Sequence, residues 1–198
     1  MTTATRPAEP GQAVLEAAPR RCTATMMLTD IADLIGIRQH LTEEQLWQFL
    51  REHYRLAGDA VIEHGGTIDK FMGDAMLALF NLPGPLPGHE RQAVAAALAL
   101  RANHADLCRQ WQLDPERHQV QVGINTGDVL AGLMGHPSRN GFSVLGDAVN
   151  IAALLCRTPS GGFVLGQTTA AAVRDVVETD EQQTDRFGPI YVVRGPRP

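Results

Sequence analysis

The chain has 198 residues, 44% of them apolar and 20% charged, and a formal net charge of -5. That length suits one globular core, and the negative balance excludes a general binder of nucleic acid, which needs clustered Lys and Arg. The longest strongly apolar run, Val94 to Leu100, falls far short of the roughly 20 residues that span a bilayer, so no membrane span is expected.

Residues 1–21 are rich in Ala, Pro, Thr and Arg and lack the apolar stretch of a secretory signal. They read as a flexible lead-in, with one folded domain over 22–198 and a cytoplasmic location. Cys22, Cys108 and Cys156 show no C-x-x-C spacing and are expected as buried, reduced thiols. The seven histidines carry no H-E-x-x-H or similar ligand spacing and are expected mostly on the surface or on helix faces. Trp47 and Trp111 lie in helical patterns, in core or interface roles.

Residues 22–30 form a short apolar, β-branched run ending in a carboxylate, which predicts a buried strand with Asp30 at its mouth. Thr42 and Gln45 make a capping box, and apolar residues then recur at helical spacing as far as Gly65-Gly66. Residues 67–80 predict a hairpin turning at Met72-Gly73-Asp74, 83–87 a loop, and Glu90 to about Trp111 a second long helix. Residues 119–124 and 129–134 read as a second hairpin broken at Asn125-Thr126-Gly127-Asp128. A helix over 146–157, a strand over 162–166, a helix over 167–176 and a strand over 187–194 complete the order. This pattern predicts an α+β fold with a ferredoxin-like βαββαβ core, helices on one sheet face, and additional C-terminal α/β elements.

In such a sheet Asp30 and Asp74 would lie side by side, as a pair of Mg²⁺ ions requires, since magnesium takes one or two carboxylates plus substrate phosphates. Spacing alone equally allows Asp30 to cap a short helix and Asp74 to be a turn acid. Four segments in order decide between these: T-D-I (29–31), H-G-G-T-I-D-K-F-M-G-D-A-M-L-A-L-F (64–80), V-G-I-N-T-G-D-V-L-A-G (122–132) and S-V-L-G-D-A-V-N-I-A (143–152). Together they resemble the class III adenylyl and guanylyl cyclases over roughly Thr23 to Gly195.

The resemblance implies that Asp30, Asp74 and the backbone carbonyl of Ile31 bind two Mg²⁺ or Mn²⁺ ions. Lys70 falls on the position that reads adenine, where guanylyl cyclases carry Glu; an ammonium donor suits the N1 acceptor of adenine and meets the N1-H of guanine badly. Ser143 falls on the second base-reading position, Asn150 on the residue that orients the ribose, and Arg194 on the cation that holds the terminal phosphates. The stretch Ile31, Ala32, Asp33, Leu34 and Ile35 falls where the family wraps the triphosphate. The metal acids of one protomer then face the Lys and Asn of the other, so the site exists in a dimer.

Two departures stand out. Leu154 occupies the position of the Arg that neutralises the transition state, and Arg157, nearly one turn on, is the candidate to reach back. Asp33 and Ile35 replace residues whose amides and hydroxyl receive phosphate, and Asp33 sets a negative charge there. The sequence therefore reads as an adenylyl cyclase converting ATP to 3',5'-cyclic AMP and pyrophosphate, weakened by Leu154. The alternatives are a degenerate nucleotide-binding or regulatory domain, a heterodimer partner whose other member supplies the Arg, and a nucleoside triphosphate other than ATP.

Overall fold

The computed structural model describes residues 18–136, 139–159, 162–185 and 188–197. The expected lead-in falls mostly outside the described residues, and its last two residues belong to the first strand, which starts at Arg20. In chain order the elements are β1 (Arg20–Ile31), α1 (Leu34–Arg38), α2 (Glu43–Glu63), β2 (Thr67–Met72), β3 (Ala75–Phe80), α3 (His89–Gln110), β4 (Val120–His136), β5 (Arg139–Leu145), α4 (Asp147–Cys156), β6 (Phe163–Gly166), α5 (Gln167–Ala172), β7 (Val177–Thr184) and β8 (Gly188–Pro196).

The first four strands lie in the order β2-β3-β1-β4, with every neighbouring pair antiparallel. This is the ferredoxin-like arrangement, and β6, β8 and β7 extend it beyond β4, β6 running parallel to β4. The capping box forms as expected: the Thr42 hydroxyl accepts from the Gln45 amide, and the Gln45 side chain accepts from the Thr42 amide.

Helices cover both faces of the sheet, not one. Residues 24–29 of β1 are all buried, as a strand covered on both sides must be. Met27 packs with Ala57, Ala60 and Val61 of α2 and Ala93 to Leu100 of α3. Ala24, Met26 and Leu28 pack on the opposite face with Ala148, Ala152 and Cys156 of α4. A Cβ at Gly123 would collide with the Ala152 carbonyl oxygen and the Cys156 amide, so glycine there is what lets α4 lie directly on β4.

The expected break at Asn125-Thr126-Gly127-Asp128 is also absent. β4 runs unbroken from Val120 to His136, pairs with β1 along Val120–Ala131, and then pairs with β5. The polar residues that read as a turn find partners on β1 and on the two helices α4 and α5. Asn125 donates to the Ala148 carbonyl at 3.1 Å, Thr126 meets Thr25 at 2.7 Å and Thr169 at 2.9 Å, and Thr23 donates to Asp128 at 2.6 Å. Strands β5 and β7 were not foreseen; β7 (VETDEQQT) is an edge strand whose polar sequence carries no apolar alternation.

Of the histidines expected mostly on the surface or on helix faces, His53 and His104 lie on α2 and α3 and are completely buried, and His118 is buried to 2% exposure. The His118 carbonyl lies 2.8 Å from His104 Nε2, which must therefore carry the proton, leaving His104 Nδ1 to accept from His53 Nδ1 at 3.0 Å. Burial and the neighbouring His104 push His53 down to about 3, and burial lowers His104 as well. Of the cysteines, Cys108 and Cys156 are buried and Cys22 is half-buried, all as free thiols. Trp111 packs edge-on against Phe49, whereas Trp47 is 69% exposed.

The histidine pair predicts an acid-labile core. His53 is depressed on folding, so the unfolded chain binds the extra proton between its ordinary value near 6.5 and about 3; stability is full above that window and falls as pH drops through it. The loss from His53 is on the order of 4 kcal/mol at the acid end. Urea unfolding between pH 7 and pH 4 should show a steep fall for the native chain and a shallower one for His53→Leu; parallel curves would show that the pair is not the acid-sensitive element.

Candidate active site

Asp30 sits at the end of β1, opposite Gln121 of β4, and Asp74 immediately precedes β3, whose Met76 pairs with Thr29. The tight turn that delivers Asp74 passes through Gly73 at φ 67°. The two carboxyl groups lie within interacting distance of each other. Burial first, and then the charge and hydrogen bond of Asp74, push Asp30 up to about 6, with the Ile31 backbone and Arg157 pulling the other way. Two neighbouring carboxyl groups in a half-buried setting form a pair that a divalent cation would relieve. Among the described residues no cluster of three or more His, Cys, Asp or Glu could hold a metal, so the donors available are these two acids and backbone oxygen. That set fits magnesium or manganese with phosphates completing the shell, and does not fit zinc.

Other groups gather around the pair. The Cys156 thiol is pushed up to about 12, mainly by burial and then by the charge of Asp30, which leaves it protonated and inert. The Tyr54 hydroxyl is raised by burial and by Asp74, and its ring lies 4.6 Å from that of Phe71. Arg157, at the C-cap of α4, lies close enough to exert a small lowering effect on Asp30.

The 31–35 stretch differs from the expected phosphate wrap. Ile31 is buried and closes the β1–β4 ladder opposite Val120, and the Ala32 amide is committed to the Gln119 carbonyl at 3.0 Å. Leu34 packs into a cluster with Ile37, Phe49 and Leu107, while Ile35 is 73% exposed. Asp33 was expected to present a bare negative charge, but it takes a left-handed conformation (φ 52°) and caps α1 by accepting from the Gly36 amide at 2.9 Å. Its other oxygen accepts from Arg117 Nε at 2.6 Å, and this guanidinium, ahead of the Gly36 amide, holds Asp33 below the usual carboxylate range. Its charge is neutralised locally.

Lys70 is exposed on β2, and its ammonium is 2.8 Å from the neighbouring Asp69. Ser143 is half-buried on β5, opposite Gly132. Asn150 is exposed on α4, and Leu154 is half-buried one turn beyond it, on the side away from the buried Ala148, Ala152 and Cys156. Arg194 is the unpaired residue of a bulge: Val193 pairs with Thr179 and Gly195 with Glu178, leaving Arg194 between them. It donates from Nε to Asp180 Oδ2 at 2.6 Å, with both side chains more than half exposed. The structure thus brings Asp30 and Asp74 together and does not join them within the chain to Lys70, Asn150 or Arg194 by any hydrogen bond or ion pair among the described residues. Asp69, Arg117, Tyr54 and Asp180 escaped the sequence reading. Asp69 carried a local signal, an acid beside Lys70, which strand alternation would assign to the opposite face.

Comparison with known proteins agrees with this geometry. The adenylate and guanylate cyclase catalytic domain family matches residues 16–196. Adenylate cyclase 1 of Rhizobium meliloti (strain 1021) is 32% identical over 137 residues, covering 68% of this chain and 20% of that protein. An adenylate cyclase of Anabaena cylindrica is 31% identical over 134 residues, covering 65% of this chain and 26% of that protein. The chain therefore spans only about a fifth to a quarter of these relatives. Among solved structures, the adenylyl cyclase CyaB from P. aeruginosa superposes with a TM-score of 0.83 at 25% identity, covering 91% of this chain and 98% of that one. The guanylyl cyclase Cya2 superposes with a TM-score of 0.78 at 27% identity, covering 91% and 96%. With the family match running through β1 to β8 and both carboxylates in place, this chain belongs to the adenylate and guanylate cyclase catalytic domain family.

Proposed function

We propose that this domain converts ATP to 3',5'-cyclic AMP and pyrophosphate at the seam of a dimer, more slowly than a cyclase that carries a transition-state arginine. The observation that carries the reading is the meeting of Asp30 and Asp74, held together at a cost that a bound cation would remove. A scaffold has no physical need for such a pair.

In this reading Asp30 and Asp74, with the carbonyl of Ile31, hold two divalent ions, Mg²⁺ or Mn²⁺. When bound, these supply positive charge to the attacking ribose 3'-oxygen and to the departing pyrophosphate. The chain's own residues position the substrate. Lys70 donates to N1 of adenine, with Ser143 beside it; Asn150 orients the ribose, and Arg194 exchanges Asp180 for the terminal phosphates. Because no hydrogen bond or ion pair among the described residues joins these residues to Asp30 and Asp74, the partner protomer supplies them, in a homodimer with two equivalent sites. Relatives named as adenylate cyclases support ATP, and the ammonium of Lys70 supports it on chemical grounds. Among the described residues no helix is long and apolar enough to cross a membrane.

Leu154 specifically favours a second reading, in which the domain serves a heterodimer by lending Asp30 and Asp74 to a partner that brings the arginine, or regulates such a partner as a degenerate nucleotide-binding domain. A cationic finger contributes roughly 10³ to 10⁵ in phosphoryl-transfer rate, about 4 to 7 kcal/mol of barrier, and a leucine supplies none of it.

Product analysis of the purified domain with Mn²⁺ and each of the four nucleoside triphosphates separates the two. Leu154→Arg should raise the kcat for cyclic AMP by at least about a hundredfold, within the range expected of a restored cation; absence of turnover in both proteins would favour the heterodimer or regulatory reading. Lys70→Glu should move residual activity toward GTP, and an unchanged preference for ATP would remove Lys70 from base recognition.

A further inference from the structure

Adjacent residues of a regular strand point to opposite faces, so Asp69 and Lys70 should face apart. The β2–β3 ladder slips between them: Ile68 pairs with Ala78 and Lys70 with Leu77, leaving Asp69 as the extra residue of a bulge. Bulges re-aim side chains, and here Lys70 Nζ comes to 2.8 Å from Asp69 Oδ2. The two side chains differ sharply in exposure, 43% for Lys70 and 1% for Asp69.

A carboxylate buried to that extent is normally surrounded by donors. Neither oxygen of Asp69 has an aligned hydrogen-bond donor among the described residues, so the ammonium of Lys70 provides its compensation as a charge contact. An acid needed only to stabilise the bulge would be bonded to backbone amides, and Asp69 is not. The dependence also runs the other way. A free lysine side chain samples many rotamers, and one anchored to a buried charge keeps its ammonium in one place. The hydroxyl of Ser143, the other base-facing candidate, carries no charge with which to do this.

We propose that Asp69 is the positioning residue for Lys70: by burying its carboxylate at the bulge it fixes the lysine ammonium where the purine edge is read, and so sets the preference for adenine over guanine. This rests on the reading of Lys70 given above. Without the anchor, the lysine would lose its hold on N1 of adenine, and the preference over guanine would fall with it.

The test uses the whole chain, with Mn²⁺ and the non-cyclisable α,β-methylene analogues of ATP and GTP, and calorimetric Kd values for wild type, Asp69→Asn, Lys70→Ala and the double variant. Asp69→Asn should weaken the ATP analogue about tenfold, the loss of one hydrogen bond from a charged donor, and leave the GTP analogue nearly unchanged. On the Lys70→Ala background Asp69→Asn should have no further effect. Asp69→Glu, which keeps the charge, should restore the ATP preference and guards against a variant that simply fails to fold. If Asp69→Asn keeps the ATP-over-GTP ratio, or weakens binding equally with and without Lys70, the positioning role is wrong although the base-reading role stands. If Lys70→Ala itself binds both analogues as wild type does, the base-reading role fails and takes this inference with it.

Discussion

Two carboxyl groups, from distant parts of the chain, meet at one end of the central sheet. Burial, and then the like charge of Asp74, push Asp30 up to about 6. The fold enforces the encounter through register: β3 and β4 both pair with β1, and the turn at Gly73 places Asp74 beside the last turn of the β1 ladder. Behind the pair, α4 is pressed onto β4 at Gly123, which buries Cys156 against the acids and sets Arg157 near them. Much of the surrounding architecture therefore fixes the position of the two acids.

The departures from the family pattern differ in physical weight. Asp33, which seemed to oppose phosphate binding, is compensated by Arg117 and by its own cap on α1, so its charge is no obstacle. Arg194 is paired with Asp180, but both side chains are more than half exposed, and such a pair opens at little cost, about 0 to 1 kcal/mol. Leu154 is apolar and brings no charge of its own, and Arg157, the cation nearest to it in sequence, is the residue proposed to reach back in its place. The proposed weakness in catalysis is thus concentrated at one position.

Much of this was legible in the sequence. The strand ending at Asp30, the capping box at Thr42, the hairpin at Gly73 and the second long helix all follow from local chemistry and periodicity, and the structure bears them out. Long-range pairing was not legible. Asn125 to Asp128 carry turn chemistry, yet partners on β1, α4 and α5 turn them into the middle of a strand. The pairing of His53 with His104 has the same origin, since the two rings meet through residues remote in sequence, His104 bonding in turn to the His118 carbonyl. The bulge at Asp69 arises from a slipped ladder and leaves no trace in the alternation of residues.

Binding of Mn²⁺, followed by electron paramagnetic resonance in the presence of α,β-methylene ATP, reaches the central claim without requiring turnover. Asp30→Asn and Asp74→Asn should each weaken Mn²⁺ binding by at least about tenfold, the loss of one anionic ligand of the two, while leaving the fold intact by circular dichroism. Mn²⁺ affinity equal to wild type in both variants would mean that the paired acids hold no metal, and the proposed reaction would lose its foundation.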